Sequence, residues 1–332
     1  MPNYYSIIIP VFNRPQEIDD LLNSITIQTF KEDFEVIVIE DGSQLSSKGI
    51  VEKFASNLDA KYLYKENSGA GNSRNYGMQH AKGDYFIILD SDCILPNHYL
   101  KEVDIALKNN FTDAYGGSDA SHKSFTQIQK AISYAMTSVL TTGGIRGNKN
   151  LKNKFQPRSF NMGLSKVAFE TTSGFASQHF GEDIDLTFRL WKNNFESQFI
   201  EKAFVYHKRR TSWRGFLKQT FNFGAARPIL NKQHPNTSKI TYWFPSLFIL
   251  GLLFSIILYF IGYKLFLYTY LVYFTLIFID SLIKNKNIVV ALISTFAVVV
   301  QFLGYGLGFL RSVFRLNLLK KSVKETFPRM FN

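Results

Sequence analysis

Three apolar stretches in the last third of the chain constrain its fold more than any other feature. Trp243–Gly262 is almost wholly apolar, Leu265–Ile283 carries one acid, Asp280, near its end, and Ile288–Leu310 is a third such run. Each is about as long as a bilayer span requires, roughly 20 residues. A helix apolar all round must be buried in protein or in lipid, and three in succession read as membrane insertion. Trp243, Tyr259 and Tyr263 stand near the expected ends, where aromatic rings favour the membrane–water interface. Two or three full spans both stay open. Three crossings put the tail bearing Arg311, Arg315, Lys320, Lys321, Lys324 and Arg329 on the far side from the front of the chain. The positive-inside rule wants that tail and the basic loop Lys284–Asn287 both in the cytoplasm. Two spans plus a re-entrant or in-plane segment would satisfy both.

The front of the chain has a different rhythm. Ser6–Pro10, Phe34–Glu40, Lys61–Tyr64 and Tyr85–Leu89 read as strands, and Pro15–Gln28, Gly49–Asn57 and Gly71–Ala81 as helices between them. Nearly continuous apolar strands alternating with amphipathic helices predict an α/β fold with a parallel sheet covered on both faces. Ser6–Ile9 is too short for a signal-peptide core and reads as a strand, so this part is expected in the cytoplasm. Further on, Asp113–Gly117 and Phe160–Leu164 read as strands, Lys166–Thr172 and Glu182–Asn193 as helices, and Thr141–Phe155, rich in Gly, Asn and Lys, as a mobile loop. Trp213–Ala225 has an amphipathic helical pattern. It suits a helix lying in the membrane interface and equally one packed on the domain. The expected organisation is a domain over 1–210, an interfacial segment over 211–240, two to three spans over 241–310 and a basic tail over 311–332.

The formal charge of +12 suits an anionic membrane surface or a phosphorylated substrate. No nucleic-acid motif accompanies it, and much of the excess flanks the apolar segments, so nucleic acid is not an expected partner. The one cysteine, Cys93, allows no internal disulfide, and packing is its expected role.

In an open parallel sheet, ligands sit outside the carboxyl ends of the strands. Asp41, Asp90 and Asp92 all fall there. Asp90-Ser91-Asp92 follows the strand Tyr85–Leu89 and precedes a helix expected to open at Pro96. Two acids spaced i and i+2 at such a mouth can hold a hard divalent cation that also grips a diphosphate. An Asp in that position also commonly solvates or caps a turn.

The order of motifs resembles family 2 glycosyltransferases, inverting enzymes with the GT-A fold. Ser6-Ile7-Ile8-Ile9-Pro10-Val11-Phe12-Asn13-Arg14 is similar to that family's first strand and turn. Glu40-Asp41-Gly42-Ser43 resembles the end of its second unit, Asn67–Gly77 its glycine-rich segment, Leu89-Asp90-Ser91-Asp92 its metal motif, and Gly181-Glu182-Asp183-Ile184-Asp185-Leu186 its catalytic acidic motif. The match covers most of Ser6–His207.

The resemblance implies roles. Pro10, Phe12, Asn13 and Arg14 line a nucleotide pocket, Asp41 accepts from a base imide N–H, and Gly69 lets the backbone approach the nucleotide. Arg74 pairs with the diphosphate, and Asp90 and Ser91 lie by the ribose and phosphates. Asp92 is the main ligand of Mg²⁺ or Mn²⁺, with Asp90 in its water shell and His207 a further ligand. Asp183 is the general base, with Glu182 positioning acceptor or base. Asp185 and Arg189 have the i, i+4 spacing of an ion pair. Arg209, Arg210 and Arg227 are candidates for phosphate contact or for a basic collar at the membrane.

The implied activity is inverting transfer of one sugar from a UDP- or GDP-linked donor to a lipid-linked glycan in surface polysaccharide assembly, at the cytoplasmic face of the inner membrane. Transfer onto polyprenyl phosphate is the alternative, and a non-catalytic nucleotide-binding membrane scaffold is a second. The Gln-x-x-Arg-Trp motif of processive members does not occur, which speaks against polymer extrusion. A homo-oligomer stays open.

Overall fold

The computed structural model describes residues 2, 4–143 and 154–331. Their contacts divide the chain into two compact units, Met1–His122 with Arg146–His207, and Lys123–Ile145 with Lys208–Asn332. A stretch in the middle of the chain therefore folds with the C-terminal helices.

In chain order the elements up to His207 are β1 (Tyr5–Val11), α1 (Pro15–Thr26), β2 (Phe34–Asp41), α2 (Lys48–Phe54), β3 (Asp59–Lys65), α3 (Ala70–Gln79), β4 (Tyr85–Leu89), β5 (Cys93–Ile94), α4 (Tyr99–Asn109), β6 (Ala114–Gly116), β7 (Asp119–Ala120), α5 (Gln127–Thr137), α6 (Val139–Thr142), β8 (Asn161–Ser165), α7 (Lys166–Thr172), α8 (Glu182–Lys192), β9 (Ser197–Phe199) and β10 (Val205–His207). All but α5 and α6 belong to the first unit.

The main sheet has seven strands in the order β3-β2-β1-β4-β8-β6-β9. The strands β3, β2, β1 and β4 pair in parallel, β8 runs antiparallel to β4 and β6, and β6 pairs with β9 in parallel. Side chains alternate across a strand, so continuous apolar strands supply two cores. Ile7, Ile9, Val36, Val38, Ile87 and Leu89 pack on one face with Leu21 and Leu22 of α1 and Val103 and Leu107 of α4. Ile8, Ile37, Ile39, Phe86 and Ile88 pack on the other with Phe169 of α7 and Leu186 and Leu190 of α8. Fully burying each such side chain contributes about 1.5–3 kcal/mol.

A second sheet, β5-β10-β7, is small. Cys93 of β5 is opposite His207 of β10, and Asp119 of β7 is opposite Val205. The two-residue strands β5 and β7 carry too little periodicity to be read from sequence.

Two local expectations need correction. Pro96 does not open a helix. Its carbonyl accepts from the Tyr99 N–H at 3.1 Å in a turn, and α4 starts at Tyr99. The described edges of the mobile loop expected over Thr141–Phe155 are structured. Thr141 and Thr142 end α6, and Phe155 is buried with its ring centroid 4.9 Å from that of Phe199. Residues 144–153 of that loop lie outside the described residues.

The second unit continues with α9 (Trp213–Gln233), α10 (Phe244–Phe260), α11 (Leu265–Asn285), α12 (Ile288–Val313) and α13 (Val323–Thr326). Ile240–Phe260, Leu265–Asn285 and Ile288–Leu318 are long and apolar enough to cross a membrane, with mean hydropathies of 2.1, 1.8 and 2.2. Only 11% of each of the first two is buried within the protein, against 44% of the third. The first two thus face outward, as lipid-facing helices do, and α12 is the internal member.

Residues 211–240, expected as an interfacial segment, supply α9, which lies along α12. A Cβ at Gly304 would meet Thr220 and at Gly308 the Phe221 carbonyl oxygen, while one at Gly224 would meet the Tyr305 carbonyl oxygen. Small residues permit this close backbone approach. Helix α5, opened by a Thr126–Gln129 capping box, buries Ala131, Ile132 and Ala135 in the same core as Phe248, Ile277 and Val298. Asp280, the one acid of the second apolar run, accepts from Tyr134 Oη at 2.7 Å and Ser138 Oγ at 3.1 Å and pairs with Lys284 at 2.8 Å. An acid within an apolar helix is held by such partners.

Candidate active site

The strand order reverses between β1 and β4, and at such a switch point the carboxyl ends of neighbouring strands open a crevice. Pro10 is buried near the end of β1. Phe12, 49% exposed, lies beyond it. Asn13 adopts φ 55°, and its Oδ1 accepts from the backbone N–H groups of Gln44 and Leu45 at 2.8 and 3.0 Å. Asn tolerates this left-handed conformation, so Asn13 ties the β1 turn to the β2 turn. Glu40, buried at the end of β2, accepts from Ser43 Oγ and from the Ser47 N–H at 2.6 Å.

Asp41 is the anchor of the glycine-rich loop. Its Oδ1 accepts from Lys65 Nζ at 2.7 Å and the Ser68 N–H at 2.9 Å, and its Oδ2 from the Gly69 N–H at 2.9 Å. Burial would raise this carboxyl, but Lys65 and the hydrogen bonds from Ser68 and Ser73 outweigh it and hold it below its usual value. A carboxylate has about four acceptor positions, and these donors already occupy them. Gly69 has φ 89°, and a Cβ there would come within 2.6 Å of the His179 ring. Both facts demand glycine.

Arg74 is buried and does not stand open toward the crevice. It donates to Asp90 Oδ1 at 2.7 Å and to Glu182 Oε1 at 3.1 Å, and its ring-facing side lies 5.1 Å from the Phe175 centroid. Burial would lower its basicity, but the two carboxylates raise it instead. A planar guanidinium suits such a bridge. Glu182 opens α8 behind Gly181, which has φ 73°. Burial first, then neighbouring Asp183, pushes the Glu182 carboxyl up to about 7 against the pull of Arg74. Asp183 Oδ2 lies 3.7 Å from Arg158 Nη1. Asp185 pairs with Arg189 at 2.7 Å, and Arg189 also donates to the carbonyls of Thr172 and Gly174. That pair is structural and holds the turn leading to the acidic motif.

Asp92 is the meeting point of three elements. Its Oδ2 accepts from Arg14 at 3.0 Å, and its Oδ1 lies 3.1 Å from His207 Nε2. His207 Nδ1 lies 3.9 Å from Asp119 Oδ2, and its ring stacks on Phe160 at 4.7 Å. Among the described residues, ligand atoms of Asp92, Cys93 and His207 lie within 4.8 Å of one another. Carboxylate oxygen with imidazole nitrogen is a fitting donor set for a divalent cation. Cys93 Sγ points to the Phe160 carbonyl oxygen at 3.4 Å and is buried, which makes it the packing member. Ser91 is buried between the two acids.

The fold thus gathers Arg14, Asp92 and His207 into one cluster, Arg74, Asp90 and Glu182 into a second, and Asp41 with Gly69 into a third. Asp90 is paired with Arg74 and stands outside the group of close ligand atoms around Asp92. Arg209, Arg210 and Arg227 belong to the second unit, where Arg227 stacks on Tyr242 at 4.4 Å. Sequence reasoning missed Asp119, Arg158 and His179, which sit in short strands and loops with no local pattern.

A mainly parallel sheet with carboxylates gathered at the strand ends is a GT-A-like glycosyltransferase domain. The model of "Glycosyl transferase family 2" matches residues 6–173, just over half of the chain, and the protein belongs to that family. Among curated relatives, an uncharacterized glycosyltransferase of Rickettsia conorii is 42% identical over 117 residues, 34% of this chain and 19% of that protein. Glycosyltransferase AglE of Haloferax volcanii is 32% identical over 153 residues, 42% of this chain and 50% of that protein. The chain therefore spans half or less of the length of these relatives. Among solved structures, the mannosyltransferase PcManGT of Pyrobaculum calidifontis, in complex with GDP-Man and Mn²⁺, covers 97% of this chain and 88% of its own with a TM-score of 0.57 and 16% identity. That likeness is one of fold.

Proposed function

We propose that the protein is a membrane-anchored, inverting glycosyltransferase. It moves one sugar from a UDP- or GDP-linked donor to a lipid-linked glycan at the cytoplasmic face of the inner membrane. The observation that carries this reading is the placement of Asp92 with His207 and of Arg74-bridged Asp90 and Glu182 beside Asp183, in a chain that also carries three apolar helices. The fold neighbour that holds GDP-Man and Mn²⁺ supports a nucleotide-sugar donor and a divalent ion.

Asp92 and His207 would hold that ion, which supplies charge neutralisation on the departing nucleoside diphosphate. Asp41 accepts from an N–H of the base in exchange for one of its present donors. Arg74 fixes Glu182 and Asp90 so that the first turn of α8 keeps one orientation. Asp183 takes the proton from the acceptor hydroxyl as its oxygen attacks the anomeric carbon. The C–O bond to the diphosphate breaks on the opposite side, which inverts the configuration.

The test is nucleotide release from a panel of UDP- and GDP-sugars by detergent-purified protein with Mn²⁺, with and without a lipid extract. Lipid-stimulated release that is lost in Asp92→Asn and Asp183→Asn supports the proposal. Folded, nucleotide-binding protein that releases nothing with any donor points to the scaffold reading.

A further inference from the structure

The C-terminal residues form a built pocket. Ser322 and Glu325 close a capping box at α13, and the Arg315 guanidinium donates to the Thr326 carbonyl at 3.3 Å. Phe327 and Met330 are buried, so the tail folds back onto the end of α12. Between them lies a cavity of about 300 Å³ lined by Phe221, Arg311, Phe327, Pro328 and Arg329. This is the small end of the range for ligand sites, about 300–1,000 Å³.

Its chemistry is unusual for a surface hollow. The walls are two phenyl rings and a proline, and the Arg311 guanidinium lies 5.7 Å from the Phe221 centroid. Arg311 and Arg329 are both exposed. Among the described residues neither has a carboxylate within ion-pair distance, and the nearby Glu325 is spent on Ser322, accepting at 2.7 and 2.9 Å. With Arg315 they set three positive charges side by side. Like charges held together call for an anion, and guanidinium forks match phosphate oxygens. Arg311 and Arg315 lie in the last turns of the apolar stretch Ile288–Leu318. For a helix that spans a bilayer, those turns fall at headgroup level, where basic residues meet anionic lipid.

We propose that Arg311 and Arg329, over the walls of Phe221, Phe327 and Pro328, bind the phosphate of an anionic membrane lipid, with the first acyl carbons against the rings. This rests on the membrane reading but not on the transfer reaction, because the site is read by binding alone.

The full chain in detergent is titrated with phosphatidylglycerol, phosphatidylcholine and inorganic phosphate, and bound lipid is counted by native mass spectrometry. Phosphatidylglycerol is expected to bind saturably, phosphatidylcholine at least about tenfold more weakly (a ratio equivalent to ~1.4 kcal/mol), and inorganic phosphate should not displace the lipid. An R311Q/R329Q variant should lose the saturable site, R329Q alone should weaken it, and K320Q/K321Q, on lysines of the same tail outside the cavity, should leave it unchanged. Equal losses in both double variants would reduce the effect to diffuse tail charge and overturn the site. So would displacement by inorganic phosphate, or saturable binding unaffected in R329Q and R311Q/R329Q.

Discussion

Arg74 and Glu182 are 108 residues apart in the chain, and their side chains meet at 3.1 Å. With Asp90 on its other fork at 2.7 Å, Arg74 locks the first turn of α8 to the end of β4. Removing one member of a buried ion pair costs about 3–5 kcal/mol because the partner charge is stranded. Arg74→Ala is expected at the low end of that range, since Asp90 is partly solvated, and it should abolish turnover. Denaturant midpoints in detergent check the first outcome. Arg74→Lys should recover part of the stability and little of the activity, since an ammonium cannot hold both carboxylates in a plane.

The raised Glu182 carboxyl gives a pH dependence of definite sign. The unfolded group titrates near 4.5 and the folded one near 7. Between those values the native state holds more protons, so its contribution to stability is fully present below pH 4.5 and is lost as pH rises through 7. Asp41 acts in the opposite sense and only at acid pH, because its folded value is depressed. Melting temperatures measured across this window should fall with pH in the wild type by more than in Glu182→Gln. A pH profile identical in the two proteins would contradict the assignment.

The Asp92–His207 pair predicts metal binding that can be read without any substrate. Asp92→Asn and His207→Ala should each lose most Mn²⁺ affinity, measured by the free-Mn²⁺ signal in electron paramagnetic resonance. Asp119→Asn should weaken it by about 10–100-fold, the usual effect of losing a carboxylate that orients a ligand histidine. Unaltered affinity in Asp119→Asn would mean that the 3.9 Å approach does no orienting.

Asp183→Asn separates the two acceptor chemistries. A general base contributes about 10²–10⁴-fold, so a hydroxyl acceptor predicts a loss of that order in kcat with KM for the donor little changed. A phosphate oxygen needs no deprotonation at neutral pH, and turnover of a polyprenyl phosphate acceptor would then fall only modestly. Steady-state kinetics with each acceptor class decide between them.

The half of the sheet from β3 to β4 was legible in the sequence because β1, β2 and β4 carry near-continuous apolar runs, as a doubly covered sheet requires, while β3 at the edge mixes apolar with charged residues. The acids at its rim were legible because each sits at a strand end. The rest was not, for physical reasons. Two-residue strands such as β5 and β7 have no period, so nothing in the chain announced that Asp119 would stand beside His207. Arg74 had the composition of a phosphate ligand, and its burial between two carboxylates is set by residues far along the chain. Helix α5 has an ordinary amphipathic pattern, and such a pattern reveals an apolar face without naming the partner that covers it.

The membership of α5 in the second unit limits how the protein can be cut. The chain leaves the first unit at His122, returns at Arg146 and leaves again at Lys208, so no single truncation separates the two. A fragment ending at His207 keeps α5 but lacks Phe248, Ile277 and Val298, which share a core with Ala131, Ile132 and Ala135. Such a fragment is expected to expose that apolar face and to aggregate, which size-exclusion chromatography would show. Freeing the first unit from the second therefore takes two edits, removal of everything after His207 and replacement of the stretch Lys123–Ile145.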